Sequence, residues 1–290
     1  MAWQVRGSTV LVTGATGGLG LEASVELARL GARVVMVGRD PSRTASARTT
    51  VAARSGSDDV ATLLCDFESQ VAVRALAADF RARHRRLDVL VNNVGGVNKA
   101  RRVTADGIEA TFAVNHLGPF LLTNLLLGLL VDSAPARIVT VASVGHRRGT
   151  LDFDDLGLER GYWIMKAYAR SKLANVLFAS ELARRLAGAG VSSNSLHPGS
   201  VATNIWSGAP LWARPVVNLF YRPFFISVEQ GASYVVQLAA DPALEGVSGA
   251  YFEKGRRVPT SALAQDDGLA RRLWDVSAAM VGLPTSTPPG

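Results

Sequence analysis

The feature that most narrows the fold is an alternation along the chain. Short runs rich in Val, Leu and Ile take turns with longer stretches whose apolar residues recur at helical spacing. Runs that are apolar throughout suit strands buried on both faces, and such strands occur where helices cover a parallel sheet. The pattern predicts strands at Thr9–Thr13, Arg33–Val37, Val60–Leu64, Val89–Asn92, Arg137–Ala142, Ser192–Leu196 and Ala250–Phe252. It predicts helices over Leu19–Leu30, Ser42–Arg54, Gln70–His84, Thr104–Leu130, Trp163–Ala187, Glu229–Ala240 and Gln265–Val281. The expected fold class is α/β, a doubly wound parallel sheet of about seven strands with helices on both faces. The 290 residues suffice for one large domain or two modest ones, and no linker or repeat divides them. One domain over residues 1–283 is therefore expected, with a disordered Pro, Ser and Thr-rich tail at 284–290.

Composition removes several classes of function. With 48% hydrophobic and 19% charged residues the chain is not a disordered one. A single cysteine, Cys65, excludes an internal disulfide and a Cys-rich zinc cluster, which makes a cytoplasmic setting the expectation. Cys65 reads as a small buried hydrophobe rather than a nucleophile. The four histidines are scattered without metal-ligand spacing, so no metal is expected. His146, three residues past Ser143, is expected at the rim of a cleft, where solvation competes with a polar contact to substrate. No export signal is visible at Met1–Arg6. The apolar stretch Leu117–Val131 falls short of the ~20 residues that cross a bilayer and reads as a buried helix. The net charge of +7 and the run RARHRR at Arg81–Arg86 raise nucleic acid as a partner. That run continues the helical pattern of Val73, Leu76, Ala77 and Phe80 without interleaved aromatics, so it reads as a solvated helix end.

The first strand ends in Thr13-Gly14-Ala15-Thr16-Gly17-Gly18-Leu19-Gly20, and a helix opens there. Glycines let a backbone approach a pyrophosphate closely, and the free N–H groups of a helix start stabilise its charge. A Gly-rich turn alone also occurs as an ordinary tight turn. Here it follows the first strand and leads to the end of the second, where Rossmann-type folds recognise the adenosine ribose. That second strand ends Val37-Gly38-Arg39. A guanidinium suits a 2′-phosphate through bidentate, charge-assisted hydrogen bonds, which favours NADP(H). Asp40 keeps NAD(H) open, unless it begins a turn with Pro41 or caps the next helix.

Tyr168 and Lys172 lie four apart on a predicted helix and share a face. A tyrosine of pKa ~10 is a poor base near neutrality, and an adjacent ammonium favours its phenolate. The glycine turn, Asn92-Asn93-Val94-Gly95, the Asn115 segment, Ser143, the Tyr168 and Lys172 pair, and Pro198-Gly199 together resemble the short-chain dehydrogenase/reductase family in order and spacing, over about residues 8–283. Within it, Val114–Thr123 (VNHLGPFLLT) and Tyr168–Ala179 (YARSKLANVLFA) resemble the retinol dehydrogenase and WW-domain oxidoreductase branch, without a WW module.

The resemblance implies a role for each matching residue. Tyr168 would be the general acid or base, Ser143 would hold the substrate oxygen, Lys172 would bind the nicotinamide ribose and tune Tyr168, and Asn115 would anchor a relay water. Gly14, Thr16, Gly18, Leu19 and Gly20 would form the phosphate turn, and Asp66 with Phe67 would sit beside the adenine. Asn93 and Gly95 would line the adenosine side, while Pro198, Gly199, Val201 and Thr203 would cover the nicotinamide. Hydride transfer itself would belong to the cofactor. Val94 stands where the family usually has Ala, and Ala142 where this branch often has Ser, and neither change removes a reacting side chain. The run Val141–Gly145 lacks the first glycine of a hydrolase nucleophile elbow.

Residues 204–227 carry Trp206, Trp212, Phe220, Tyr221, Phe224 and Phe225. The resemblance implies a substrate lid there, suited to an apolar alcohol or carbonyl. Subunit packing and peripheral contact with a membrane, through flanking Arg214 and Arg222, are the competing readings. Family habit implies a homo-oligomer. The leading expectation is an NADP(H)-dependent oxidoreductase acting on a hydrophobic small molecule. The alternative is a non-catalytic dinucleotide-sensing or scaffold protein, which would have no need of Asn115, Ser143, Tyr168 and Lys172 together.

Overall fold

The computed structural model describes residues 3–199 and 226–284. Its centre is one sheet of order β3-β2-β1-β4-β5-β6-β7-β8. The strands are β1 (Thr9–Thr13), β2 (Arg33–Gly38), β3 (Val60–Leu64), β4 (Val89–Asn92), β5 (Ala136–Val141), β6 (Val191–His197), β7 (Tyr251–Glu253) and β8 (Arg256–Arg257). All neighbours pair in parallel except β7 and β8, a short antiparallel turn-back at the edge. The pattern predicts about seven strands because β8 is two exposed arginines with no apolar signal.

Helices cover both faces. α1 (Gly18–Arg29), α2 (Pro41–Ser55) and α7 (Val228–Ala240) enclose one core with Val10, Val12, Val34, Met36, Val89 and Val91. On the other face α3 (Gln70–Arg83), α5 (Gly118–Asp132), α6 (Ile164–Arg185) and α8 (Asp267–Met280) enclose the larger core. Successive residues of each central strand feed opposite cores, which accounts for the uniformly apolar runs.

The predicted helix over 104–130 starts late. Gly107 adopts a φ of 77° in a tight turn whose N–H donates to the Thr104 carbonyl at 3.0 Å. The Glu109 carboxylate then accepts from the Thr111 and Phe112 N–H groups, both at 2.8 Å, and starts α4 (Ala110–Phe112). A π-turn over Ala113–Leu117, closed by the Gly118 N–H on the Ala113 carbonyl, joins α4 to α5. Ala110–Asp132 is long and apolar enough by length and composition to cross a membrane, yet Phe112, Leu117, Phe120, Leu121, Leu122, Leu126 and Leu130 are buried in the larger core. It is the central helix of that layer.

Candidate active site

The strand order reverses direction between β1 and β4, and there the carboxyl ends of neighbouring strands leave a crevice. The glycine turn fills its floor. Gly14 has φ 64°, and a Cβ on Gly20 would lie 2.4 Å from the Gly14 carbonyl oxygen, so only glycine lets α1 start this close to the turn. Thr13 and Asn93 lock the two sides together. The Thr13 hydroxyl accepts from the Asn93 and Val94 N–H groups at 3.0 and 3.1 Å, and the Asn93 amide donates to the Thr13 and Gly14 carbonyls at 2.8 and 3.1 Å. Asn93 is thus a brace of the turn. α1 begins without a side-chain cap, whereas Asp40 and Ser69 cap α2 and α3. An uncapped helix start behind a glycine cradle fits the pyrophosphate of a dinucleotide.

At the end of β2, the Asp40 carboxylate accepts the Arg43 N–H at 2.8 Å and caps α2. Arg39 stays exposed, with a guanidinium nitrogen 3.9 Å from a Glu68 oxygen. Asp66 caps its own turn by accepting the Glu68 N–H at 3.1 Å, and Phe67 is buried in the larger core. Neither Thr16 nor Leu19 is fully exposed, and Gly18 opens the first turn of α1.

The second cluster forms where β5, α6 and the loop after β4 converge. Ser143 follows β5 and accepts the Gly145 N–H at 3.1 Å. A Cβ on Gly145 would lie 3.4 Å from both the Ser143 hydroxyl and the Tyr168 ring, so this turn packs directly on Tyr168. Burial raises the Tyr168 hydroxyl above its ordinary range, and the Ser143 hydroxyl opposes that rise. The expected downward pull of Lys172 on Tyr168 is not what dominates here: the Lys172 ammonium lies 5.7 Å from the ring centroid and donates to the Val141 carbonyl at 2.9 Å. Burial lowers Lys172 itself to about 8.

Asn115 sits on the π-turn and ties the cluster together. Its side-chain oxygen accepts the Gly96 N–H at 2.8 Å, and its amide donates to the Gly96 carbonyl at 3.0 Å and the Ser171 hydroxyl at 2.9 Å. Ser171 in turn donates to the Tyr168 carbonyl at 2.8 Å. Gly95 passes close by, since a Cβ there would lie 3.3 Å from Asn115 Oδ1 and 3.6 Å from Lys172 Nζ. Ser171 had no signal in the sequence beyond its place beside Lys172. Pro198 and Gly199 follow β6 and are buried, while Val201, Thr203, the proposed lid over 204–227 and all but the first residue of the tail lie outside the described residues, apart from 226 and 227.

His146 differs from its expectation. It is fully buried rather than at a rim: its Nδ1 pairs with the Ser143 carbonyl at 2.8 Å and its Nε2 with the Ser261 N–H at 3.3 Å, and its ring meets Tyr251 edge-on. Because a carbonyl needs a donor and an N–H an acceptor, the neutral ring carries its proton on Nδ1. Burial lowers the pKa of His146, and takes His116 to about 3 and His197 to about 4. Cys65 is buried and its thiol pushed up to about 12, again by burial. Among the described residues no group of three or more His, Cys, Asp and Glu is placed to hold a metal. Arg81 and Arg83 lie in the last turn of α3 and Arg85 and Arg86 just past it, all at the surface, where Arg83 pairs with Asp79 and Arg86 with Asp88.

Comparison with known proteins covers nearly the whole chain. Residues 8–213 match the profile of the short chain dehydrogenase family. Retinol dehydrogenase 14 of Mus musculus is 45% identical over 96% of this chain and 87% of its own length. Retinol dehydrogenase 13 of Homo sapiens is 39% identical over 96% and 86%. Among solved structures, an uncharacterized protein from Mycobacterium paratuberculosis aligns with a TM-score of 0.79 and 31% identity, covering 99% of this chain and 97% of that one. The Pseudomonas aeruginosa RhlG/NADP active-site complex aligns with a TM-score of 0.71 and 25% identity, covering 92% and 98%. With the glycine cradle, the tyrosine and lysine on one helix and the reversed strand order already in place, these relatives make the chain an oxidoreductase that belongs to the short-chain dehydrogenase/reductase family, in its retinol dehydrogenase branch.

Proposed function

We propose that this protein interconverts an alcohol and an aldehyde or ketone on a hydrophobic small molecule, using NADP(H). The observation that carries the reading is the convergence of Ser143, Tyr168 and Lys172, with Gly145 packed between Ser143 and Tyr168, the Lys172 ammonium 5.7 Å from the centre of the Tyr168 ring, and Gly95 beside Lys172. When bound, the nicotinamide supplies or accepts the hydride. Tyr168 gives its proton to the carbonyl oxygen in reduction and takes it back in oxidation, while the Ser143 hydroxyl donates a hydrogen bond to the same oxygen. Lys172 holds the ribose hydroxyls, and Asn115 fixes the loop that carries Gly95 and Gly96 against α6.

Two further observations support the finer reading. Val144, next to Ser143, is 42% exposed, and Trp163 and Met165, one turn ahead of Tyr168, are 62% and 41% exposed. Exposed apolar side chains this near Ser143 and Tyr168 in sequence suit a substrate with an apolar body, as does the name of the relatives. NADP(H) is favoured because Asp40 is spent as a helix cap while Arg39 faces solvent. The test is a screen of apolar aldehydes and ketones with NADPH and NADH in parallel, repeated with Tyr168→Phe. We expect turnover with NADPH that falls about 10²- to 10⁴-fold in the variant at unchanged NADPH affinity. Full turnover by Tyr168→Phe would refute the mechanism, and cofactor binding without turnover of any carbonyl compound would favour a dinucleotide sensor.

A further inference from the structure

Arg39 has company at its end of the sheet. The Glu68 carboxylate, in the turn between β3 and α3, is shared by two guanidiniums. Arg102 grips both of its oxygens, one of them at 2.7 Å, and Arg39 stands 3.9 Å from one of the same oxygens. The two arginines come from opposite sides of the glycine turn: Arg39 follows β2 and Arg102 lies in the loop after β4, and β2 and β4 are the strands that flank β1. Both anchor points are fixed. The Glu68 N–H donates to the Asp66 carboxylate at 3.1 Å, and the Arg102 carbonyl accepts the N–H of Ala110, the first residue of α4, at 2.9 Å. Hydrogen bonds from Arg102, assisted by the charge of Arg39, hold the Glu68 carboxyl below its ordinary range, so it stands ionised between two cations.

This is an anion site occupied by the protein's own anion. Carboxylate and phosphate present matching oxygen forks to a guanidinium, and phosphate adds a third oxygen and up to a second charge. Two cations that one carboxylate can reach are therefore within reach of one phosphate. The side chains remain open to it, Arg39 being 70% and Arg102 51% exposed. We propose that Arg102 is the second cationic arm of the 2′-phosphate site, and that Glu68 holds the two guanidiniums ready and competes with the phosphate for them. Glu68 and Arg102 thereby set the strength of the preference for NADP(H) over NAD(H). The proposal rests on the NADP(H) reading above, in which Arg39 is the first arm.

The experiment is calorimetric titration of NADPH and NADH into the wild type and into Arg39→Ala, Arg102→Ala, Arg102→Lys and Glu68→Gln, with the ratio of the two dissociation constants as the readout. Arg102→Ala should cut the preference for NADPH about 3- to 10-fold with NADH affinity unchanged, and Arg102→Lys should restore part of it. Glu68→Gln should raise the preference about 3-fold, by removing the competitor. If Arg39→Ala collapses the preference while Arg102→Ala leaves it within 2-fold, NADP(H) stands and the second arm is refuted. A preference that stays constant or falls in Glu68→Gln refutes the competition. Equal binding of both dinucleotides by the wild type, unchanged in Arg39→Ala, refutes the NADP(H) reading itself. Thermal melting of each cofactor-free variant verifies its fold, and Arg102→Lys, which keeps the charge, carries the test if Arg102→Ala does not fold.

Discussion

Burial leaves the Lys172 ammonium at about 8, donating to the Val141 carbonyl. A ribose whose hydroxyls accept from that ammonium stabilises the charged form, so the dinucleotide binds the protonated protein more tightly and raises the lysine pKa. The sign follows: NADPH affinity should be flat below pH 8 and weaken about 10-fold per pH unit above it, up to the pKa of the complex. Titration between pH 6.5 and 9.5 measures this, and Lys172→Met should remove the bend. His146 makes a second test. Asn can place its amide nitrogen where Nδ1 donates to the Ser143 carbonyl, while Leu cannot, so His146→Leu should lower kcat about 10-fold or more and His146→Asn should recover most of it. Equal kcat losses in the two variants, tracking their loss in Tm, would make His146 structural only. The two residues also differ in legibility. Tyr168 and Lys172 announce themselves by spacing on one helix, whereas the partner of His146, Ser261, lies 115 residues away and leaves no local trace.

At the scale of elements, one acidic residue separates two readings of β2. Asp40 spends its carboxylate on the Arg43 N–H, at the start of a helix that has Pro41 in its first turn and Gly56 in the left-handed conformation at its end. Those are local signals, and the sequence carries them in full. Asp40→Ser should keep the cap and leave stability within about 0.5 kcal/mol, and Asp40→Ala should cost about 1 kcal/mol, with NADH affinity unchanged in both. Denaturant melts and NADH titrations measure the two effects. A selective loss of NADH affinity would place the carboxylate on the ribose instead. The boundaries of β1, β2 and β4 were equally legible, because those strands are buried on both faces and largely apolar, whereas β6 (VSSNSLH) is mostly polar in sequence although buried. The π-turn was not legible. Its residues Ala113–Leu117 (AVNHL) continue the helical pattern with no local mark of an extra residue, which is instead held by contacts at a distance, Asn115 with Gly96 and Ser171, and His116 with the Ser277 hydroxyl at 2.9 Å. The same holds for the shared carboxylate of Glu68, which joins loops that sequence reading treats separately.

For the whole molecule, ion pairs among the described residues take up twelve of the chain's 27 arginines. Arginine supplies 27 of the 31 basic residues, and it is the basic partner in every ion pair among the described residues. Arg137 breaks the pattern. It lies on β5, 5% exposed, with its guanidinium carbon 4.4 Å from the centre of the Trp3 ring. One nitrogen donates to the Leu238 and Asp241 carbonyls at 3.2 and 2.9 Å, where α7 ends, and the Trp3 indole donates to the Ala239 carbonyl at 3.1 Å. Trp3 and the middle of the sheet thus close the carboxyl end of a helix that packs on α1. Burial lowers Arg137 to about 10 despite Asp241 and Glu245 nearby, so the fold carries a desolvation cost for this charge. A buried cation with incomplete partners is often replaceable by an apolar side chain of similar volume, whereas truncation leaves both a void and an unsupported ring. Arg137→Met should therefore stay within about 1 kcal/mol of the wild type, while Arg137→Ala and Trp3→Ala should each cost about 2–4 kcal/mol, read from urea denaturation. If Arg137→Met proved as costly as Arg137→Ala, the two carbonyl bonds rather than packing would hold α7. Because Asn93 and Thr13 brace the glycine turn independently of α7, NADPH affinity in variants that remain folded should stay within about 2-fold of the wild type, which separates this stabilising contact from the cofactor site.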